Sequence, residues 1–464
     1  MTRVLFVTYH FPPVGGAGVQ RSIKFVRYLP EHGYEPVVLT GPGPTDDRWA
    51  PADETLAAEV PPSTDVIRVP GPVPVRSSGT RARAERWLRL PTGFAGWWQD
   101  GIASRGREAG DVDLIYVSMS PFESAPAVAA LAHDLGRPWV ADLRDPWALD
   151  EMVVHPTALH RRLELARMGR LLGSADAVVT NTSEAARALV AGFPGIDPDR
   201  VVTIPNGYDA SDFAGPPPRP RPDRVFRIVH AGYLHTELGL AQQRTGRLRR
   251  ILGGDEGHVD HLARSHVFLL RALDRLFQSR PELAGSVELH LAGVLSPADR
   301  ASIAVELRRP DVVKTPGYLT HAETVALLRS ADILFLPMHG LPPGRRARIV
   351  PGKTYEYLAA ERPILAAVPD GDARDLLERA GAMLCRPTDV DAMTEALSRQ
   401  LDRAGSGKVS GDGRRDFLER FERRNLTRQL AGVFDETVSR GAGRCGSRRA
   451  RSPEHARRLR NAVD

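Results

Sequence analysis

The chain has 464 residues, a net charge of +6 and an ordinary apolar content of 42%. This length exceeds that of a typical single domain, so we expect at least two domains. No apolar run approaches the roughly 18 residues of a membrane-spanning helix. With only two cysteines, Cys385 and Cys445, a disulfide framework or a cysteine-rich zinc site is excluded. The chain starts on a short apolar strand and not on a signal peptide, so we expect a cytoplasmic protein.

Most of the positive charge lies at the C-terminus. The segment 441–464 contains seven arginines and two acids, so the rest of the chain is close to neutral. Basic tails contact nucleic acid or anionic membranes in some proteins, and more often they are plain disordered ends. This tail lacks the interleaved aromatic residues of a single-strand nucleic-acid binder. We therefore expect no nucleic-acid partner and leave peripheral contact with an anionic membrane open.

Strand and helix signals alternate along the chain. Apolar runs of strand length occur at 4–8, 36–40, 114–117, 139–141 and 177–180, and again at 226–232, 288–293, 312–314 and 333–337. Segments of helical period separate them, including 19–29, 267–277 and 321–329. This alternation predicts parallel sheets covered on both faces. The predicted fold is therefore α/β, with two doubly wound, Rossmann-like domains facing across a cleft.

The predicted boundaries follow the breaks in this pattern. They are an N-terminal acceptor-binding domain at 1–212, a proline-rich linker at 213–222, a C-terminal donor-binding domain at 223–412, a helical region at 413–440 that packs back on the N-terminal domain, and a disordered basic tail at 441–464. Two segments interrupt the alternation: 70–107 is rich in Pro, Arg and Trp, and 239–263 is rich in Arg and Gly. Both exceed ordinary connections in length, which favours either a functional role or disorder.

A short helix in the second half carries residues that suit a nucleotide. Val350-Pro351-Gly352 predicts a turn, and the segment that follows predicts an amphipathic helix leading into a buried strand. Lys353 and Glu356 lie on one side of this helix because they are three residues apart. An ammonium suits a phosphate and a carboxylate suits sugar hydroxyls, so the pair fits a nucleotide diphosphate. A solvated surface charge pair is the alternative.

The connection after the first strand is rich in glycine. Gly15, Gly16 and Gly18 let the backbone approach a ligand closely, and the N-terminus of the following helix attracts anions. Arg21 stands where a dinucleotide fingerprint requires glycine, and no well-placed acid follows the second strand. A sugar or phosphate site is therefore favoured over a NAD site.

Two further segments are candidates for the ligand cleft. Asp142, Arg144 and Asp145 lie at the end of the strand at 139–141, and strand ends of this kind line the ligand crevice of open α/β sheets. A structural Arg144–Asp145 ion pair is the alternative. Asn206-Gly207 marks a tight turn near the domain boundary, and a plain turn without a ligand is the alternative there.

Together these residues resemble the family-4 retaining glycosyltransferases of the GT-B fold, from about residue 3 to residue 440. The matching segments are Phe11-Pro12-Pro13 with Gly15-Gly16, Pro205-Asn206-Gly207 with Asp209, the strand ending at Gly232, Leu291-Ala292-Gly293, Gly317-Tyr318, Ser330-Ala331-Asp332 and Lys353 to Pro363. Their order and spacing are together more specific than any one of them.

The resemblance implies transfer of a sugar from a nucleotide-sugar donor to an acceptor hydroxyl. The donor binds mainly to the C-terminal half and the acceptor to the N-terminal half. The anomeric configuration is retained, usually without a metal ion, and no cofactor is expected. The acceptor is unspecified, and cell-surface polysaccharides, glycolipids and secondary metabolites are the classes in view.

The resemblance also implies roles for individual residues. Glu356 matches the carboxylate that holds the donor ribose, Gly317-Tyr318 the loop that contacts the base, and Gly15-Gly16 the loop near the donor phosphates. Gly232 ends a strand on the donor side. The acceptor side is expected to include Gly18 and Asp142.

Three features depart from the family pattern, at four positions. The first acid of the paired-glutamate pattern is replaced by Arg348, so the donor sugar must be held in another way. The histidine that many members carry before an aspartate is Arg144 here, with Asp145 retained. The arginine and lysine that clamp the diphosphate correspond to Tyr233 and Arg264.

The predicted catalytic residues are Arg264, Lys353, Arg144 and Asp145. The diphosphate gains negative charge as its bond to the sugar breaks, so cations aimed there stabilise the transition state more than the ground state. We assign that role to Arg264 and Lys353. No nucleophile with a base partner is evident in the sequence, which favours front-face displacement, with Asp145 orienting the acceptor or stabilising positive charge.

Alternatives stay open at this point. A sugar-nucleotide epimerase on the same fold would need no acceptor, and a catalytically idle GT-B module would act as a partner in an assembly. The stretch from Trp87 to Trp98 would hold an apolar acceptor through Trp97 and Trp98, or touch a membrane surface. A helical cap packed on the first domain is the other interpretation of that stretch.

Overall fold

Two parallel β-sheets organise the chain, one in each half. The computed structural model describes residues 1–44, 51–75, 77–216, 225–254, 258–405 and 415–450. The linker predicted at 213–222 and the tail predicted at 441–464 therefore lie partly outside the described residues. Within the described ranges, no helix is both long and apolar enough to span a bilayer.

The N-terminal domain has seven strands. They are β1 (Thr2–Val7), β2 (Tyr34–Thr40), β3 (Val66–Arg68), β4 (Leu114–Ser118), β5 (Trp139–Leu143), β6 (Ala177–Thr180) and β7 (Val201–Thr203). The helices are α1 (Ala17–Tyr28), α2 (Gly79–Leu88), α3 (Gly93–Arg105), α4 (Ser124–Leu135), α5 (Ala158–Gly173), α6 (Ser183–Gly192) and α7 (Ala210–Phe213). The sheet order is β3-β2-β1-β4-β5-β6-β7, so the winding reverses between β1 and β4 and a ligand crevice is expected there.

The C-terminal domain repeats the plan with six strands. They are β8 (Phe226–Ala231), β9 (Val287–Ala292), β10 (Val313–Gly317), β11 (Ile333–Pro337), β12 (Ile364–Ala367) and β13 (Met383–Cys385). The helices are α8 (Thr236–Leu252), α9 (Val267–Ser279), α10 (Pro297–Glu306), α11 (His321–Arg329), α12 (Lys353–Ala359), α13 (Asp372–Arg379), α14 (Val390–Gly405), α15 (Arg415–Glu419) and α16 (Arg423–Ala450). The order β10-β9-β8-β11-β12-β13 reverses between β8 and β11.

Burial explains why the strands were visible in the sequence. Every residue of β4 and β11 is buried, as expected for central strands covered by helices on both faces. An apolar core layer lies on each face of each sheet. The last helix crosses back: Leu430 and Phe434 of α16 belong to the same core layer as Phe6 and Ile23 of the N-terminal domain.

The two segments that interrupt the strand–helix alternation of the sequence contain helices. The Trp-rich segment 70–107 contains α2 and α3, and the Thr92 hydroxyl caps α3 by accepting from the Ala95 backbone at 3.1 Å. The Arg- and Gly-rich segment 239–263 begins inside α8. A Cβ at Gly239 would lie 2.4 Å from the Leu262 backbone, so glycine lets this helix approach the chain closely. Neither α2 nor α8 carries the broad apolar stripe on which sequence periodicity depends.

Candidate active site

The edge of the N-terminal sheet brings Gly18, Arg144 and Asp145 together. The Arg144 guanidinium follows β5 and donates to the Gly18 carbonyl at 2.6 Å, which ties it to the first turn of α1. Its Nε lies 3.8 Å from the Asp145 carboxylate, which is half exposed. The Asn181 amide donates to the Arg144 carbonyl. Arg144 is therefore fixed by backbone contacts, whereas Asp145 keeps an accessible carboxylate.

The glycine loop meets the C-terminal domain through Tyr318. A Cβ at Gly15 would lie 2.1 Å from the Tyr318 hydroxyl, so only glycine permits this approach. The hydroxyl donates to Asp53 at 3.5 Å, and the His321 backbone N–H donates to the same carboxylate oxygen at 3.1 Å. Gly16 has φ of +86° and precedes α1. The loops predicted for the donor phosphates and base thus face each other across the cleft.

Lys353 lies over Gly232. A Cβ at Gly232 would lie 2.6 Å from the Lys353 Nζ, and Gly232 itself has φ of +106°. The same nitrogen is 3.4 Å from Nε2 of His230 at the end of β8. Burial and the nearby Arg264 guanidinium lower the pKa of Lys353 to about 7, against the opposing charge of Glu356. An anion bound beside this ammonium would restore its charge.

Arg264 of the C-terminal domain lies near several acids of the N-terminal domain. Its Nη1 lies 3.0 Å from the Met152 sulfur. Burial lowers the pKa of Arg264, and the carboxylates of Asp150, Asp145 and Glu151 act against that effect. Burial and the neighbouring Glu151 raise the pKa of Asp150 to about 7. Arg264 and Lys353, both partly buried, therefore lie near each other, and a cluster of carboxylates acts on Arg264.

The Glu151 carboxylate lies next to the backbone of Arg348. Its Oε1 accepts from Nε2 of His339 at 3.0 Å and from the Arg348 backbone N–H at 3.1 Å. The Arg348 guanidinium turns away and donates to the Leu149 carbonyl at 2.7 Å. Burial acts to raise the pKa of Glu151, but the hydrogen bond and charge of His339 outweigh it and the pKa is lowered. A carboxylate from the other domain therefore lies beside the position where the family's glutamate is absent.

Glu356 lies on the cleft side of α12 with partial exposure. Its charge acts to raise the pKa of Lys353, His321 and Arg423, against burial, so it lies among three basic groups. The structure gives its carboxylate no hydrogen bond within the described part of the chain. Gly317, which precedes Tyr318, has φ of +83°, a conformation that favours glycine.

Asp142 is not an acceptor-binding residue in this structure. It is fully buried, and its carboxylate accepts from Arg21 at 2.7 and 3.1 Å and from the Tyr116 hydroxyl. The Arg21 guanidinium also donates to the Ile204 and Pro205 carbonyls. The expectation fails because alternate residues of a strand point to opposite faces, and this side chain points toward α1.

The acceptor role expected for Trp97 and Trp98 is also not supported. Trp98 is fully buried in the N-terminal core, and its indole N–H donates to the Ser124 hydroxyl at 2.8 Å. Trp97 packs against that core and donates to the Pro70 carbonyl at 3.1 Å. Of the two interpretations of this stretch, α3 fits the helical cap on the first domain.

One carboxylate cluster has the spacing of metal ligands within the described ranges, and an ammonium fills it. Glu59, Asp209 and Asp212 converge on the buried Lys24 nitrogen at 2.6, 2.9 and 3.1 Å. Nε2 of His321 also pairs with Asp212 at 2.9 Å. This cluster links α1 to α11 and is a structural ion pair network, so a metal does not fit it. Metal independence of the reaction stays a prediction.

A cavity of about 780 Å³ lies between the domains next to α12. Tyr355 lines it, whereas Lys353 and Glu356 do not. Arg346 spans this region, because it forms ion pairs with Glu184 of one domain and Asp375 of the other. None of the residues predicted to bind donor or acceptor lines this cavity, so it is separate from the candidate active site.

The sequence missed Asp53, Asp150, Glu151, His230 and His339. The adjacent acids Asp150 and Glu151, directly after an apolar turn, were the available signal. Nothing local pointed to His339, whose partner Glu151 is 188 residues earlier in the chain.

Comparisons with known proteins agree with this architecture. A model of a glycosyl transferase 4-like domain matches residues 16–207, and a model of the glycosyl transferases group 1 matches residues 257–403. The MMP alpha-(1->4)-mannosyltransferase of Mycolicibacterium hassiacum is 27% identical over 458 residues, covering 92% of this chain and 96% of that protein.

Solved structures share the fold at low identity. Sucrose-phosphate synthase from Thermosynechococcus elongatus has a TM-score of 0.62 at 15% identity and covers 95% of this chain and 100% of that one. Anabaena Alr3699/HepE in complex with UDP and glucose has a TM-score of 0.59 at 16% identity and covers 94% of this chain and 100% of that one.

The fold and the paired domain matches define a nucleotide-sugar glycosyltransferase of GT-B architecture. The chain belongs to the glycosyl transferases group 1, with a glycosyl transferase 4-like N-terminal domain. The predictions of the GT-B fold, of a group 1 glycosyltransferase and of transferase activity are confirmed, whereas retention of configuration stays a prediction.

Proposed function

We propose that the enzyme transfers a hexosyl group from a nucleoside diphosphate sugar to a hydroxyl acceptor with retention of configuration. One observation carries this proposal: Lys353 lies over Gly232 at the end of β8, beside Arg264, and Glu356 lies on the same side of α12. Two cations and a carboxylate at this spacing fit a diphosphate and a ribose.

The leaving group sets the roles of the cations. When the bond from the anomeric carbon to the phosphate oxygen breaks, the electron pair stays on the nucleoside diphosphate. Lys353 and Arg264 stabilise that charge. Their electrostatic attraction to the diphosphate is stronger in the cleft than it would be in water. The acceptor hydroxyl attacks from the face that the diphosphate leaves, and the hydroxyl proton passes to the departing phosphate oxygen. The half-exposed Asp145 orients the acceptor.

Glu151 is proposed to hold the donor sugar. Its second oxygen, Oε2, is buried and has no hydrogen-bond partner among the residues described. Leaving a buried carboxylate oxygen unpaired is costly, and we propose that the side chain turns toward the cleft and pairs with a sugar hydroxyl when the donor binds. Because Glu151 also bonds the Arg348 backbone, it compensates for the missing family glutamate.

The donor sugar is proposed to be mannose, and the support is the near full-length similarity to a mannosyltransferase. A thermal-shift panel of UDP, GDP, ADP and TDP sugars tests the donor, and NMR of the product made from the stabilising donor tests retention. We expect one nucleotide sugar to raise the melting temperature and the product to keep the anomeric configuration. Conversion of the donor to an isomer without acceptor would favour an epimerase, and no shift with any nucleotide would favour an idle module.

The enzyme is proposed to work in the cytoplasm and to contact an anionic membrane peripherally. Trp97 and Trp98 do not serve this contact, since both pack on the domain core. A different surface of the same domain carries it.

A further inference from the structure

Exposed apolar side chains gather on one face of the N-terminal domain. Ten large apolar residues are exposed in the described part of the chain, and five of them lie in or next to α2 and α5. They are Trp87, Leu88, Leu90, Leu159 and Leu163, with exposed fractions between 43% and 68%. Single exposed apolar residues are ordinary, but a cluster indicates an interaction surface.

Specific contacts hold the two elements side by side. The Trp87 ring packs edge-on against the His160 ring at 5.8 Å, and Nε2 of His160 pairs with the Trp87 carbonyl at 2.9 Å. The Arg89 guanidinium donates to the His160 carbonyl at 3.3 Å and pairs with Glu164 at 3.4 Å. The C-terminal end of α2 is therefore fixed on the first turns of α5, and their apolar side chains form one surface.

Basic residues are frequent in the two segments that carry the apolar cluster. The segments 79–90 and 158–173 contain eight arginines and two acids. Arg83 and Arg86 are exposed on α2, a helix that buries none of its residues. A helix with Trp and Leu at its end and several arginines along it has the composition of an interfacial membrane helix.

The exposed surface extends toward the C-terminal domain. The His155 backbone N–H donates to the Gly254 carbonyl at 2.8 Å, and a Cβ at Gly253 would lie 3.3 Å from Ala158. These contacts bring the end of α8 next to the start of α5. Ile251, near that end, is 82% exposed. Apolar side chains of both domains thus border the same region.

We propose that α2 and the N-terminal half of α5 form a surface that docks on an anionic lipid bilayer. Trp87, Leu88 and Leu90 enter the interface between headgroups and acyl chains, and the arginines of the two segments contact anionic headgroups. The opposite charges of protein and membrane favour a bilayer over an apolar protein partner, because each basic residue near such a surface contributes attraction. This proposal rests on the membrane contact proposed above, names the surface that makes it, and does not depend on the identity of the donor.

Vesicle co-sedimentation of the full chain tests the proposal. The vesicles contain phosphatidylcholine alone or with phosphatidylglycerol, at low and at high salt. The apolar variant is Leu88→Ser with Leu90→Ser, and the charge variant is Arg83→Glu with Arg86→Glu. The matched controls lie on α10: Val305→Ser, which replaces a side chain 78% exposed, and Arg300→Glu, which replaces an exposed arginine.

We expect binding to phosphatidylglycerol vesicles that weakens at high salt, a loss of about tenfold in both α2 variants, and little change in the controls. No binding to these vesicles at low salt would overturn the proposal and leave a protein partner as the occupant. Equal binding by the wild type and the α2 variants would also overturn it, since the basic tail would then account for the contact. Donor-induced thermal shift, measured without vesicles, reports separately on the proposed function.

Discussion

Glu151 has surroundings that call for a ligand more directly than those of the residues predicted from the sequence. One carboxylate oxygen is bonded to His339 and to the Arg348 backbone, and the other is buried without a partner in the described structure. A buried, half-satisfied carboxylate is costly unless something pairs with it. Glu151 therefore offers the donor sugar a carboxylate beside the position where the family's glutamate is absent.

Glu151→Gln is expected to weaken nucleotide-sugar binding by about tenfold, because it removes a charged hydrogen-bond acceptor. Affinity for the free nucleoside diphosphate should be unchanged. Isothermal titration with both ligands makes the comparison, and Glu282→Gln, at an exposed acid, is the control. Equal weakening of both ligands would contradict contact with the sugar.

The lowered pKa of Lys353 predicts that the enzyme takes up a proton when the donor binds. With a pKa of about 7 in the free enzyme, its amine is mostly neutral at pH 8, and a bound diphosphate favours the ammonium. Titration of the nucleoside diphosphate at pH 8, in buffers of different ionisation enthalpy, should reveal uptake of close to one proton. Lys353→Met should abolish the uptake and Lys314→Met should retain it. A wild type whose binding enthalpy does not depend on the buffer would contradict this ionisation.

At the scale of elements, the end of β8 and the start of α12 form one unit. Gly232→Ala places a Cβ 2.6 Å from the Lys353 nitrogen at a φ of +106°, so the ammonium or the strand end must move. We expect donor affinity to fall by roughly tenfold or more, and the melting temperature should also fall. Gly285→Ala, where a Cβ meets nothing within 4 Å, is the matched control. Unchanged donor affinity in Gly232→Ala would separate this contact from donor binding.

The sequence predicted elements where burial dictates composition. β4 and β11 are buried along their whole length, so they stand out as apolar runs, and α9 shows a clear apolar face. It did not predict α2 or α8, since neither element carries a wide apolar stripe. Arg144 and Lys353 could be predicted as site residues from the sequence because motif positions and strand ends are local features. Glu151 and Asp53 were not, because each acts through a partner in the other domain.

At the scale of the whole molecule, contacts on both sides of the cleft join the domains. Asp53 meets the start of α11 on one side, and Arg346 joins Glu184 to Asp375 on the other. The last helix adds a third link, since it packs on the N-terminal core after the C-terminal domain is complete. The buried ionisable groups of the cleft therefore contribute to the stability of the whole chain.

The joint contribution of Asp150 and Lys353 to the free energy of unfolding of the ligand-free protein is expected to pass through a minimum near pH 7. The pKa of Asp150 is raised from 3.8 to about 7, so its contribution is complete below pH 3.8 and is lost as the pH rises to 7. The pKa of Lys353 is lowered from 10.5 to about 7, so stability increases between pH 7 and 10.5, where the unfolded chain binds more protons.

The contribution of each residue to the free energy of unfolding should be on the order of a few kcal/mol. Urea unfolding across this pH range measures it. The difference between the Asp150→Asn and wild-type profiles should change with pH between pH 4 and 7, and the difference for Asp65→Asn, at an exposed acid, should not. An Asp150→Asn profile parallel to that of the wild type between pH 4 and 7 would contradict the assignment.

Turnover with the donor identified by thermal shift shows whether Lys353 and Arg264 stabilise the leaving diphosphate. Lys353→Ala and Arg264→Ala should each lower kcat by roughly tenfold or more, since a charge-assisted contact contributes about 1.5–3 kcal/mol. Lys314→Ala, at an exposed lysine, should turn over like the wild type. Unchanged kcat in both cleft variants, with the same donor bound, would contradict the account.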